Sequence, residues 1–213
     1  MENANEAIIG ISPGNPYFTE ARLTSLLKRA TAEYGHVTIM IPDTPAIHTY
    51  RALGYALNKA REKAISKGGN AIRNRLDRVL PELGEAAAKV RVLDWEKDVA
   101  GQVAYKAAHR RICALYNCSD AFNAAVSGAT AEVLENKSRY HKRNIADMSS
   151  AVQEGGKYLL AELAFLEAAD QILGVPQTTY IYHNPWPVFE HLIKGGFDGK
   201  KRGSTVFREM PQV

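Results

Sequence analysis

The sequence predicts an α/β fold, a mainly parallel sheet with helices on both faces. Three observations predict it. The apolar runs 7–11 (AIIGI), 37–41 (VTIMI) and 178–183 (TTYIYH) are strand-sized and rich in β-formers. Longer stretches between them repeat their apolar residues at helical spacing. Strands alternating with helices build parallel sheets covered on both sides. The chain has 213 residues and no internal repeat or linker-like segment, so one domain over 1–213 is expected.

Each element has its own signal. Residues 7–11 read as a buried strand. Residues 19–34 read as an amphipathic helix with Leu23, Leu26, Leu27 and Ala30 on one face, ended by Gly35. The strand at 37–41 is closed by Pro42-Asp43-Thr44-Pro45. A long helical region is predicted over 46–80, interrupted at Gly68-Gly69. KVRVL at 89–93 alternates as a strand does. The stretch 97–172 reads as helical, with breaks near Cys118-Ser119 and Gly155-Gly156. After the strand at 178–183 come a short helix at 187–194 and a last strand at 204–209.

Composition narrows the classes. Net charge is +4, a mild bias whose distribution matters more than its size. Cys113 and Cys118 form no C-x-x-C pair, so neither zinc nor a disulfide framework is expected. No apolar run reaches the roughly 18 residues of a membrane span. The start, MENANEAII, has no basic region or long apolar stretch, so no secretory signal is predicted and a cytoplasmic protein is expected. There is no P-loop, no G-x-G-x-x-G, no synthetase HIGH or KMSKS signature and no metal-ligand spacing.

In open parallel sheets, ligands bind beyond the carboxyl ends of the strands. Ser12, Pro42-Asp43 and Tyr182-His183 all lie at such ends. Gly10-Ile11-Ser12-Pro13-Gly14 also matches G-x-S-x-G, the hydrolase nucleophile elbow. That match is superficial. Ser12 ends the first strand instead of following several, and Pro13 lacks the N–H that would complete the oxyanion hole. A turn serine opening a helix is the plainer reading.

Two further groups attract attention. Tyr158 and Glu162 are four apart in an almost wholly apolar helical stretch, 157–173, and so share one face. A carboxylate there must be paired, hydrogen-bonded or protonated, unless it reaches the surface at the helix edge. Tyr180 and Tyr182 share one strand face, with His183 at the exit. Basic residues cluster at Lys59, Lys63, Lys67, Arg73, Arg75 and Arg78, with weaker clusters at 137–143 and 200–202. A stripe of this kind suits a phosphate backbone, although a solvated helix face is the commoner outcome.

These pieces, in this order, resemble the cyclodipeptide synthases. The match runs over essentially the whole chain, on GISPGNPYF, the basic helix, Y-L-L-A-E and Y-I-Y-H. The resemblance implies a Rossmann-like fold similar to the catalytic domain of class I tyrosyl- and tryptophanyl-tRNA synthetases. It implies two aminoacyl-tRNAs as successive substrates and a diketopiperazine product, with no ATP, cofactor, metal, DNA or membrane partner. A monomer is expected. By the match, Ser12 is the nucleophile that carries an aminoacyl and then a dipeptidyl group. Tyr158 and Glu162 hold the substrate ammonium, and Tyr182 completes the site. Asn15, Tyr182 and His183 match the asparagine-tyrosine-histidine branch. Lys59, Lys63, Lys67, Arg73, Arg75 and Arg78 would meet the first tRNA.

The first aminoacyl pocket is expected from Ile8, Gly10, Met40, Trp95, Phe165 and Tyr180, walls bulky enough to imply a small residue, alanine or glycine. Where the family pattern has an acidic residue two places after the strand histidine, this chain has Pro185. A serine hydrolase of small or aminoacyl esters, and a non-catalytic tRNA-binding module, are the alternatives.

Overall fold

The computed structural model describes residues 6–184 and 186–209. The first five residues of the amino-terminal stretch, and Pro185, lie outside the described residues.

Five strands, β1 (Glu6–Gly10), β2 (His36–Met40), β3 (Val90–Leu93), β4 (Thr178–Tyr182) and β5 (Thr205–Glu209), form one sheet in the order β3-β2-β1-β4-β5. Every pairing is parallel. The order reverses between β1 and β4, and such a switch point opens a crevice at the strands' carboxyl ends. Ile8 stands beside Tyr180 and Gly10 beside Met40, so Ser12 and Tyr182 leave the sheet on the same side.

Strand alternation sorts the core into two layers. Ile8, Met40 and Tyr180 face α5 (Val103–Cys118), α6 (Asp120–His141), α7 (Met148–Glu167) and α8 (Pro187–Ile193). Ile9, Ile39 and Ile181 face α1 (Glu20–Glu33) and α4 (Asn70–Val79). All five residues of β1 are buried, as befits a central strand covered on both faces. A smaller cluster joins α2 (Asp43–Ala52), α3 (Leu57–Arg61) and the helical segment after it. No helix of the described residues is long and apolar enough to cross a membrane.

Both glycine pairs differ from expectation. Gly68-Gly69 does not interrupt the helix. A π-helical segment, Glu62–Gly69, continues α3 straight into α4. A Cβ at Gly68 would lie 2.7 Å from the Pro13 side chain, so the glycine lets this helix press on the turn after Ser12. Gly155-Gly156 does not break α7 either. A Cβ at Gly155 would crowd Thr130 and Leu134 of α6 at 3.1 and 3.3 Å. Close approach of two elements, not chain reversal, explains both pairs. The real break falls before α7, which Asp147 caps. The break at Ser119 is where it was expected, and its side chain caps α6.

Candidate active site

Ser12 does not open a helix. Thr19 caps α1, and Ser12-Pro13-Gly14-Asn15 instead forms a tight turn closed by Asn15 N–H donating to the Ser12 carbonyl at 3.1 Å. Proline at the second position presets its φ. Glycine at the third adopts φ 73°, which type II turns require there. The turn leaves the Ser12 side chain free to point into the crevice.

There Ser12 Oγ lies 3.2 Å from the Tyr158 hydroxyl and 3.1 Å from the Tyr182 hydroxyl. Tyr158 comes from α7 and Tyr182 from the end of β4. Helical spacing sets Glu162 one turn from Tyr158, and the Tyr180 hydroxyl donates to Glu162 Oε1 at 3.4 Å. Tyr180 and Tyr182 stack, with centroids 6.0 Å apart. Gly10 is required beneath them, because any Cβ would overlap the Tyr180 phenol. The bulge-free end of β1 and the phenol of β4 thus fit only with hydrogen at this position.

Electrostatics follow from burial. Glu162 is 5% exposed, and desolvation pushes its carboxyl up to about 7, although hydrogen bonds from Tyr158 and Tyr180 pull the other way. Desolvation and the Glu162 charge raise the Tyr182 phenol to about 12, and the same causes raise Tyr158 and Tyr180. These phenols therefore stay protonated near neutrality and remain hydrogen-bond donors.

Asn15 links the turn to β4. Its Oδ1 accepts from Tyr17 N–H at 2.9 Å, and its Nδ2 approaches His183 Nε2 at 3.5 Å. The His183 ring stacks on Tyr17, with centroids 4.2 Å apart. Burial lowers its pKa, and its buried Nδ1 has no hydrogen-bond partner among the described residues. Among those residues no histidine is hydrogen-bonded to Ser12.

A cavity of about 900 Å³ joins these groups. Ser12, Asn15, Tyr158, Glu162, Tyr182 and His183 line it, and so do Tyr50, Lys137, Tyr140 and His141. Of the six residues expected in the first aminoacyl pocket, only Tyr180 lines it. Ile8, Met40, Trp95 and Phe165 lie in the closed core below Tyr180, all at most 3% exposed. Trp95 and Phe165 fill that volume ring against ring, with centroids 6.1 Å apart.

The cations of the basic stripe have partners within the chain. Arg73 pairs with buried Asp43 at 2.8 Å, Arg75 donates to the Phe18 carbonyl at 3.0 Å, and Arg78 pairs with Glu20 at 2.5 Å. Lys59 and Lys67 both hold Glu62, and Lys63 lies over the Tyr55 ring. The three arginines tie α4 to neighbouring segments instead of standing as free cations.

Tyr50, Trp186 and Lys137 line the cavity without having been singled out as site residues. Lys137 sat in a basic cluster that looked like a solvated face. Tyr50 and Trp186 carry no local signal, since only the packing of α2 and of the segment after β4 brings them here.

Comparisons with known proteins identify the family and the fold. The family described as cyclodipeptide synthase matches residues 1–205. A cyclo(L-tyrosyl-L-tyrosyl) synthase of Mycobacterium tuberculosis is 26% identical over 192 residues. That alignment covers 90% of this chain, which spans only 65% of the relative's length. The crystal structure of a cyclodipeptide synthase from Bacillus thermoamylovorans superposes with a TM-score of 0.84 at 20% identity, covering 100% of this chain and 90% of that one. A cyclodipeptide synthase from Candidatus Glomeribacter gigasporarum, solved bound to Phe-tRNA, gives 0.66 at 16% identity, covering 98% and 88%.

Proposed function

The chain belongs to the cyclodipeptide synthase family, and from that premise we propose that it joins the aminoacyl groups of two aminoacyl-tRNAs into a diketopiperazine through Ser12. The observation that carries this reading is the Ser12 hydroxyl, held by two phenols in one cavity with a buried carboxylate.

An aminoacyl ester is already activated, so no ATP is needed. Ser12 Oγ attacks the ester carbonyl, the bond to the tRNA ribose oxygen breaks, and that oxygen takes up the serine proton. Tyr158 and Tyr182 touch Oγ and can relay this proton. As protonated phenols they can also donate to the carbonyl oxygen, a role Pro13 denies to the backbone. Glu162 holds the substrate ammonium and fixes its orientation. A carboxyl near 7 also suits it to accept a proton from that ammonium, freeing the amine as a nucleophile. The amine of the seryl-bound residue then attacks the ester of the second aminoacyl-tRNA. The second tRNA leaves and a dipeptidyl-Ser12 remains. The dipeptide's free amine attacks the seryl ester, which closes the ring and restores the Ser12 hydroxyl.

The first residue is small in this reading, alanine or glycine. Its support is the volume below Tyr180, already filled by Trp95 and Phe165. Asn15, Tyr182 and His183, clustered at the end of β4, support the asparagine-tyrosine-histidine branch. The helical segment that carries Lys63 and Lys67 presses on the turn after Ser12 through Gly68, which supports an approach of the tRNA acceptor end along it.

The test is expression in bacteria with mass spectrometry of the medium. Diketopiperazines from the wild type, absent with Ser12→Ala, are expected, together with labelled amino acid trapped on Ser12. Free amino acid as the sole product would show a hydrolase. A dominant Phe- or Leu-containing ring would overturn the small first residue.

A further inference from the structure

The cavity that holds Ser12 also holds a cation that nothing in the proposed chemistry uses. Lys137, near the end of α6, is half-buried and lines the same cavity as Ser12 and Glu162. Its Nζ lies over the Tyr50 ring, 5.9 Å from the centroid. The Tyr50 hydroxyl in turn reaches the Ser12 turn, since a Cβ on Gly14 would sit 2.7 Å from it. One tyrosine therefore separates this ammonium from the turn that carries the nucleophile.

No carboxylate among the described residues lies within ion-pair distance of Lys137. Its neighbours are positive or neutral. His141, one turn on, feels Lys137, Lys63 and Arg143 as like charges. Burial pulls the lysine's pKa down, with no neighbouring carboxylate to offset it. Glu132 lines the cavity on the same helix but makes no ion pair with it. A desolvated cation without an anionic partner is costly, and a ligand that brings the missing anion recovers that cost.

We infer that Lys137 is a specificity residue for the second aminoacyl group, and that it takes the carboxylate of an acidic side chain, glutamate or aspartate. This rests on the proposed synthase reading and deepens it. The product would be a diketopiperazine with one small and one acidic side chain. The other source of an anion is a tRNA phosphate, and the layout disfavours it. Lys63 and Arg143 flank Tyr55, 4.8 and 4.1 Å from its ring, and neither lines the cavity. Lys137 does, over Tyr50, in the same volume as Ser12. A neutral second side chain would leave its charge unanswered there.

The experiment compares wild type, Lys137→Arg and Lys137→Met expressed in bacteria, with the cyclic products resolved by mass spectrometry. Purified wild type is also given labelled alanyl-tRNA and glutamyl-tRNA, and Ser12 labelling is followed. The expected wild-type product contains Glu or Asp. Lys137→Arg keeps it, while Lys137→Met cuts the acidic fraction at least tenfold and raises neutral second residues. A wild-type product without an acidic residue, made by a protein whose Ser12 is labelled, overturns this inference and leaves the synthase reading standing. No diketopiperazine from the expressed wild type, together with no Ser12 labelling, overturns the synthase reading itself. If Lys137→Met weakens binding of uncharged tRNA while the product composition stays the same, the lysine holds phosphate and the inference fails. Should Lys137→Met not fold, the wild-type product and Lys137→Arg still decide the matter.

Discussion

At the strand end of the cavity, polar groups answer one another: Ser12 with two phenols, and Glu162 with Tyr158 and Tyr180. Outside the cavity, beyond the Tyr50–Tyr55 contact, Lys63 and Arg143 lie over the Tyr55 ring instead of carboxylates. The first region is a closed hydrogen-bond network, preorganised and low in net charge. The second is an open field of cations held by weak, non-directional contacts. Fixed networks suit bond making, where a displacement of a few tenths of an ångström costs rate. Open cationic surfaces suit recognition of a large anion that arrives and leaves.

That contrast can be broken first at Ser12. Ser12→Ala should lower diketopiperazine output by at least about a thousandfold, because no other group supplies the nucleophile. Mass spectrometry of the medium reads it, and residual turnover within tenfold of wild type would remove the covalent step.

Glu162→Gln should cost about a hundredfold in kcat/KM, since the amide can neither balance the ammonium nor take its proton. Wild-type kcat/KM should fall as pH drops through about 7, where Glu162 becomes protonated. The variant should lose that inflection.

Stability should move the opposite way. A carboxyl raised from 4.5 to about 7 in the fold binds more protons than the unfolded chain between those values. Wild-type stability is therefore lost as pH rises through that window. Glu162→Gln should escape the loss, which is roughly 3 kcal/mol above the folded pKa. Urea unfolding at pH 4 and pH 8 measures it, and an equal pH dependence of the two proteins would contradict the buried ionisation.

Tyr158→Phe and Tyr182→Phe should each cost about tenfold, and the double variant less than the product of the two, because both phenols act on one oxygen. The smallest effect belongs to the cationic end. Lys63→Ala with Arg143→Ala should raise KM for aminoacyl-tRNA a few-fold and flatten its salt dependence without changing the product. An unchanged salt slope would take these cations out of the interface.

The contrast also explains how much was legible beforehand. Tyr158 and Glu162 were readable because four-residue spacing on an apolar helix puts two polar groups on one buried face. Tyr180 and Tyr182 were readable because strand alternation does the same. The glycine pairs misled because a glycine that permits close packing looks, in one dimension, like a glycine that reverses the chain. Lys137 was hidden in KSRYHKR, where a cation facing a cavity and one facing water have the same sequence.

The sequence by itself determined the sheet, its parallel strands and the turn at Ser12, because these depend on local periodicity and on Pro13-Gly14 at adjacent positions. Only the tertiary structure decided which cations were already paired, that Trp95 and Phe165 close the core below Tyr180, and that Tyr50 and Lys137 share the nucleophile's cavity. Each of those depends on residues distant in the chain, and local spacing carries no record of where two helices and a strand will meet.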